Sequence, residues 1–199
     1  MRLKNLLFLL TFILINVISS NSSYSTEPDV FVQSTVNRAS EALNKNNSIE
    51  KKIDKLKQIA SETVDINGIG LYTLGTYRKN LSDDQTKKYK ILFEQYFLKS
   101  FASRLAEYSN PEIEVISKKK IGKNYTMVFS KLVASEKRPE VKIDWRIYTK
   151  NPENPLIRDL IIEGLSLART QKEEFSSIIE SNNGDINSLF TTLNKFINN

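Results

Sequence analysis

The eight residues Val141-Lys142-Ile143-Asp144-Trp145-Arg146-Ile147-Tyr148 alternate without a break. Val141, Ile143, Trp145 and Ile147 point one way, while Lys142, Asp144, Arg146 and Tyr148 point the other. A period of two over that length is a β-strand with one covered face and one polar face. All-parallel sheets bury both faces, so this alternation places the strand in an antiparallel sheet with one wet side.

The strand extends over residues 140–150, and three more strand-like runs accompany it. Residues 112–117 form the first and 157–163 the last. The run 124–133 carries Tyr125, Met127 and Phe129 on one face and Thr126, Val128 and Ser130 on the other. The intervening stretches 120–123, 135–139 and 151–155 are short and turn-rich, which fits a four-stranded antiparallel meander. Lys118-Lys119-Lys120, just before Gly122, reads as a solvated hairpin turn.

Helical patterns flank the sheet on both sides. Val30, Phe31, Val36, Ala39 and Leu43 mark a helix over about 28–45. Ile49, Ile53, Leu56, Ile59 and Ala60 mark a second over 49–63. Residues 66–77 form a short, partly irregular helix whose glycines permit close packing. The strongest helix spans 82–108 and opens on a capping box, Ser82 with Gln85. Tyr89, Leu92, Phe93, Tyr96, Phe97, Ser100, Phe101, Leu105 and Tyr108 share one of its faces, and Asn110 and Pro111 end it. After Gly164 come a helix over 166–180 and a last one capped by Asp185. The order is α+β: a four-stranded antiparallel sheet packed against a bundle of N-terminal and C-terminal helices.

Composition narrows the chemistry. The 199 residues contain no histidine and no cysteine. Disulfides, thiol nucleophiles, histidine-based triads and nearly every zinc, copper or haem site are thereby excluded. Residues 1–25 read as a signal peptide: Arg2 and Lys4, an apolar run from Leu6 to Ile18, then a serine-rich stretch with cleavage after Ser22 or Ser25. An uncleaved anchor is the other reading, although the run is shorter than the roughly 20 residues a membrane span needs. Cleavage leaves 26–199 as one domain. It removes two basic residues and no acidic one, so the net charge falls from +6 to +4. A mildly basic secreted protein can lean on anionic membranes. No nucleic-acid readout is expected, since neither a basic helix nor a basic sheet studded with aromatics is present.

Catalysis would have to rest on carboxylates. Asp159 and Glu163 lie four apart on one strand face, about 13 Å at strand rise, too far for a glycosidase-type pair. No enzyme is expected. Glu163 more readily fixes the corner after the strand, pairing with Arg78, Arg104 or Arg169. The aromatic helix face reads either as a core stripe or as the wall of an apolar cavity. The lining in the second reading is Phe93, Tyr96, Phe97, Phe101, Leu105 and Tyr108 on the helix. On the sheet it is Met127, Phe129, Val141, Ile143, Trp145, Leu160 and Ile162. Tyr108 or Trp145 would offer a hydrogen bond at a cavity mouth, or else satisfy an acceptor of its own fold.

Four segments carry a resemblance. They are Leu74-Gly75-Thr76-Tyr77-Arg78; Ser82 and Gln85 leading to Phe93; Arg104-Leu105-Ala106-Glu107-Tyr108-Ser109; and Asp159 through Glu163-Gly164 to Ser166-Leu167, with Phe175 downstream. In order and spacing, over about 28–195, the chain resembles the MlaC family, also called the toluene-tolerance auxiliary family. Two positions depart from its pattern: Pro155 stands where an aromatic is usual, and Gln171-Lys172 where a Tyr-Arg pair is usual. Lysine keeps the charge but loses the bidentate fork of arginine. The resemblance implies a monomeric periplasmic shuttle without cofactor or metal, with phospholipid tails in an apolar cavity between sheet and helices. It also implies transient partners: an inner-membrane Mla ABC transporter complex and an outer-membrane lipoprotein–porin complex. The alternative from composition and periodicity alone is a periplasmic adaptor with a solid core and no lipid cargo.

Overall fold

The structure is a computed structural model that describes residues 25–136 and 138–199. The expected leader lies outside the described residues except for Ser25. Three helices come first: α1 (Pro28–Ala42), α2 (Ile49–Thr63) and α3 (Ile66–Thr73). Each start has a local cause. Pro28 opens α1, where its missing N–H costs nothing. The Ser48 hydroxyl accepts from the Lys51 N–H, and the Asp65 carboxylate accepts from the Gly68 N–H. A short 3₁₀ turn (Tyr77–Lys79) leads to α4 (Asp83–Ala106). The capping box is present in both directions: Gln85 N–H donates to Ser82 Oγ, and Ser82 N–H donates to Gln85 Oε1. Gly70 is needed where α3 meets α4, because a Cβ there would stand 2.7 Å from the Phe93 ring.

The sheet follows: β1 (Ile113–Gly122), β2 (Tyr125–Leu132), β3 (Val141–Tyr148), β4 (Leu156–Ile162) and β5 (Leu165–Ser166). It is an antiparallel meander in the order β1-β2-β3-β4-β5. Two helices close the described chain: α5 (Leu167–Glu180), capped by Ser166, and α6 (Ile186–Asn198), capped by Asp185.

Three local expectations change. Lys118, Lys119 and Lys120 are not a turn; they extend β1, and the turn falls at Lys123 and Asn124. Glu163 and Gly164 are not a strand-to-helix corner but the two central residues of a β-hairpin, with φ of 48° and 83°. Two successive positive φ angles give the tight reversal that returns the chain along β4 as the short fifth strand. Third, α4 stops at Ala106, so Tyr108 lies beyond the helix.

Register sets the two faces of the sheet. Val128 pairs with Trp145, Ser130 with Ile143 and Thr126 with Ile147. Trp145 pairs in turn with Leu160, and Ile143 with Ile162. These residues share the side on which the helices pack: α1 on β1 and β2, α3 and α5 on β4. One core joins Val32 and Val36 of α1, Tyr89 and Phe93 of α4, Val128 and Trp145 of the sheet, and Phe175 and Phe190 of the last helices. A smaller cluster around Leu43, Leu56 and Ala106 ties α2 to the end of α4.

Candidate functional site

The apolar border where α4 and the sheet share one core, here called the seam, draws residues from both. Phe93 is fully buried, whereas Tyr96, Phe97, Phe101 and Leu105 are half-buried on successive turns of α4. Phe97 and Phe101 stack with centroids 5.6 Å apart and planes 9° apart. Phe93 meets Phe97 at 6.1 Å and takes the edge of Phe175 at 6.2 Å. Val141, Ile143, Leu160 and Ile162 are half-buried on the helix-facing side of the sheet, around the buried Trp145, and Ile143 and Leu160 pack on the same core as Phe97 and Phe101.

Not every expected lining residue joins this seam. Met127 pairs with Arg146 and Phe129 with Asp144, so both lie on the far face of the sheet, away from Trp145. The alternation along β2 is as expected, but the other face is the covered one: Val128 and Ser130, not Met127 and Phe129, share the side of Trp145. Leu105 packs on the smaller cluster near α2. Tyr108 is exposed: the Arg138 guanidinium lies 5.4 Å from its ring centre, and its carbonyl accepts from Lys52 Nζ at 3.4 Å.

Polar groups inside the seam are settled locally. Trp145 Nε1–H donates to Ser130 Oγ at 2.8 Å, and Ser130 Oγ–H donates to the Ile143 carbonyl at 2.8 Å. Trp145 therefore spends its donor within the sheet. Tyr96 O–H donates to Gln171 Oε1 at 2.9 Å, linking α4 to α5. Burial pushes the Tyr96 phenol above its ordinary pKa, so the hydroxyl stays a donor. Gln171 thus has a structural role at a position where the sequence departs from the expected pattern. Its neighbour Lys172 lies over the Tyr72 ring.

The carboxylates are also accounted for. Asp159 accepts from Ser166 Oγ at 2.6 Å and from the Ala168 N–H at 3.0 Å, and it faces Arg146 at 3.4 Å. Glu163 accepts from the Lys142 N–H rather than pairing with an arginine. Asp144 stands on the far face between Phe129 and Ile161. Burial raises its pKa above the usual carboxylate range, a shift that Lys142 partly opposes. A hollow of about 420 Å³ lies on the outer side of α1, lined by Val30, Gln33, Ser34, Asn37, Arg38 and Glu41. All six lining residues belong to α1, and the hollow lies away from the seam.

The candidate lining left out Val128, Ile147 and Ile157, which are buried on the helix-facing side, and of these Val128 was not expected on the covered face. The signal was Ser130. A serine two residues after Val128 looks like solvated surface, yet it is the acceptor that a buried Trp145 requires.

Comparison with known proteins gives matches of three kinds. The family model described as MlaC protein matches residues 33–195. The "Intermembrane phospholipid transport system binding protein MlaC" of Haemophilus influenzae is 27% identical over 129 residues, 62% of this chain and 60% of that protein. The chain thus matches less than two thirds of that relative's length. A solved structure of a phospholipid-binding protein from Ralstonia solanacearum, in complex with a phospholipid, superposes with a TM-score of 0.72. It is 18% identical, and the match covers 86% of this chain and 97% of that one. At that identity the likeness concerns the fold.

Proposed function

The chain belongs to the MlaC family, and from that premise we propose that it is a phospholipid carrier whose acyl tails lie in the seam between α4 and the sheet. The observation that carries this reading is a pair of half-buried apolar rows bordering one core. Tyr96, Phe97 and Phe101 form one on α4, and Val141, Ile143, Leu160 and Ile162 form the other on the helix-facing side of the sheet. Apolar side chains that touch the core yet keep part of their surface open are the lining an apolar guest needs.

The energetics set the demand. Some thirty methylenes at about 0.8 kcal/mol each give roughly 25 kcal/mol that must be kept from water. A carrier meets this with continuous apolar surface rather than a catalytic cluster. When empty it must also close, a task that the stacked Phe93, Phe97 and Phe101 rings suit. Loading moves them aside.

The name of the Haemophilus influenzae relative, an intermembrane phospholipid transport binding protein, supports a place between two membranes; to this we add a signal peptide cleaved within the first 25 residues, a periplasmic location, and residues 26–199 working as one domain. The chain then passes lipid between membranes as a monomer, docking transiently on an inner-membrane transporter complex and an outer-membrane lipoprotein–porin complex. Docking of this kind calls for modest interfaces.

The test is purification without detergent, followed by mass spectrometry of the organic extract. Near-stoichiometric phospholipid is expected. A folded, lipid-free protein that also takes no phospholipid from vesicles would refute carriage and favour an adaptor with a solid core.

A further inference from the structure

Strand β1 is an edge of the sheet and carries two irregularities. Its register against β2 jumps between Val115 and Ser117, and again between Lys120 and Gly122. The residues passed over are Ile116 and Ile121. A bulge leaves its extra residue unpaired and re-aims the side chain. Both isoleucines accordingly face solvent, 59% and 46% exposed. Beside them stand Lys119, Lys120 and Lys123, all exposed and none in an ion pair among the described residues. Lys118 differs: it is held by Glu27 and Asp29 at the start of α1. No acidic residue occurs between Ile116 and Val133.

Lysines and bulges are common devices against unwanted strand pairing. They explain the charges but not the isoleucines, because an exposed apolar residue on an edge invites contact. We infer that the β1 edge, with the β1–β2 hairpin tip, is a docking surface for an anionic phospholipid bilayer. Ile116 and Ile121 stand about 17 Å apart at strand rise, so the edge lies along the bilayer with one isoleucine entering the interface at each end. Lys119, Lys120 and Lys123 reach the phosphates between and beyond them. A protein partner adding a strand would need a continuous ladder of free backbone groups, and two bulges interrupt that ladder. The surface is distinct from the seam, and its binding is measured with or without cargo.

The experiment is co-sedimentation of the purified protein with phosphatidylcholine vesicles, with and without about one third phosphatidylglycerol. Binding is expected only with the anionic lipid, and it should weaken as added salt shortens the screening length. A lysine close to an anionic surface contributes about fivefold in affinity. The triple variant Lys119→Gln, Lys120→Gln, Lys123→Gln should therefore bind at least about tenfold more weakly. Ile116→Ser with Ile121→Ser should weaken binding severalfold while keeping its salt dependence. The control Lys45→Gln, Lys87→Gln, Lys90→Gln makes the same change in net charge at exposed sites elsewhere and should leave binding within about twofold. The proposal fails if the control weakens binding equally, if the isoleucine changes have no effect, or if the anionic vesicles are not bound. It also fails if the lysine variant keeps vesicle binding but loses cross-linking to a protein, since the edge would then be a protein interface.

Discussion

A buried indole N–H has to find an acceptor, and Trp145 finds Ser130 on the neighbouring strand. Ser130 then passes a hydrogen bond to the Ile143 carbonyl. Removing the hydroxyl leaves the buried indole N–H unpaired, at a cost of about 1–3 kcal/mol. Ser130→Ala should thus lower stability by at least about 1 kcal/mol in urea unfolding. A fully neutral result would show that water replaces the hydroxyl. Asp144 makes a pH prediction. Its pKa is raised by burial, so the folded state holds the proton more tightly than the unfolded chain. Stability is then present at low pH and falls as pH rises through the raised value. Asp144→Asn should raise the melting temperature at neutral pH and leave it unchanged below the carboxylate range. Equal shifts at both pH values would contradict the assignment.

At the scale of elements, the helices were the most legible from sequence. Two caps are legible in single residues, Ser82 and Asp185, and both are in place; Ser48 and Ser166, not singled out from the sequence, cap two more helices. The meander was legible from the alternation in β3. The placement of β2 was not. Met127 and Phe129 look like core residues, and Thr126 and Ser130 like surface, but the register of an antiparallel pair is fixed by its turn. The turn falls at Lys123 and Asn124, later than the lysine run indicated, and every side chain of β2 takes the opposite face from the one expected. The fifth strand was missed because Glu163-Gly164 lacks the asparagine or aspartate that usually announces a two-residue hairpin. These placements separate the candidate lining into two sets with different outcomes. Phe97→Ala and Ile143→Ala each remove several carbons from the seam and should weaken binding of a fluorescent phospholipid by about tenfold or more. Phe129→Ala, on the far face, should leave it within about twofold. The reverse ranking would place the tails on the other side of the sheet.

For the whole molecule, one arrangement serves two needs. The core that joins α1, α4, the sheet and the last helices holds the fold together. In the proposed reading its half-buried border, from Tyr96 to Phe101 on α4 and from Val141 to Ile162 on the sheet, supplies the surface for cargo. A carrier that sealed this border permanently could not load, and one that left it empty would expose apolar surface to water and invite aggregation. Aromatic rings that stack when unloaded and shift when loaded reconcile the two. Trp145 is the only tryptophan in the chain and sits on the helix-facing side of the sheet, at the middle of the seam. Its fluorescence therefore reports directly on where the tails lie. The decisive measurement is to load the protein with a phospholipid bearing brominated acyl chains, confirm loading by mass, and compare Trp145 emission with that of the unbrominated lipid. Strong quenching by the brominated chains is predicted. Equal emission from two equally loaded samples would contradict the placement of the tails between α4 and the sheet.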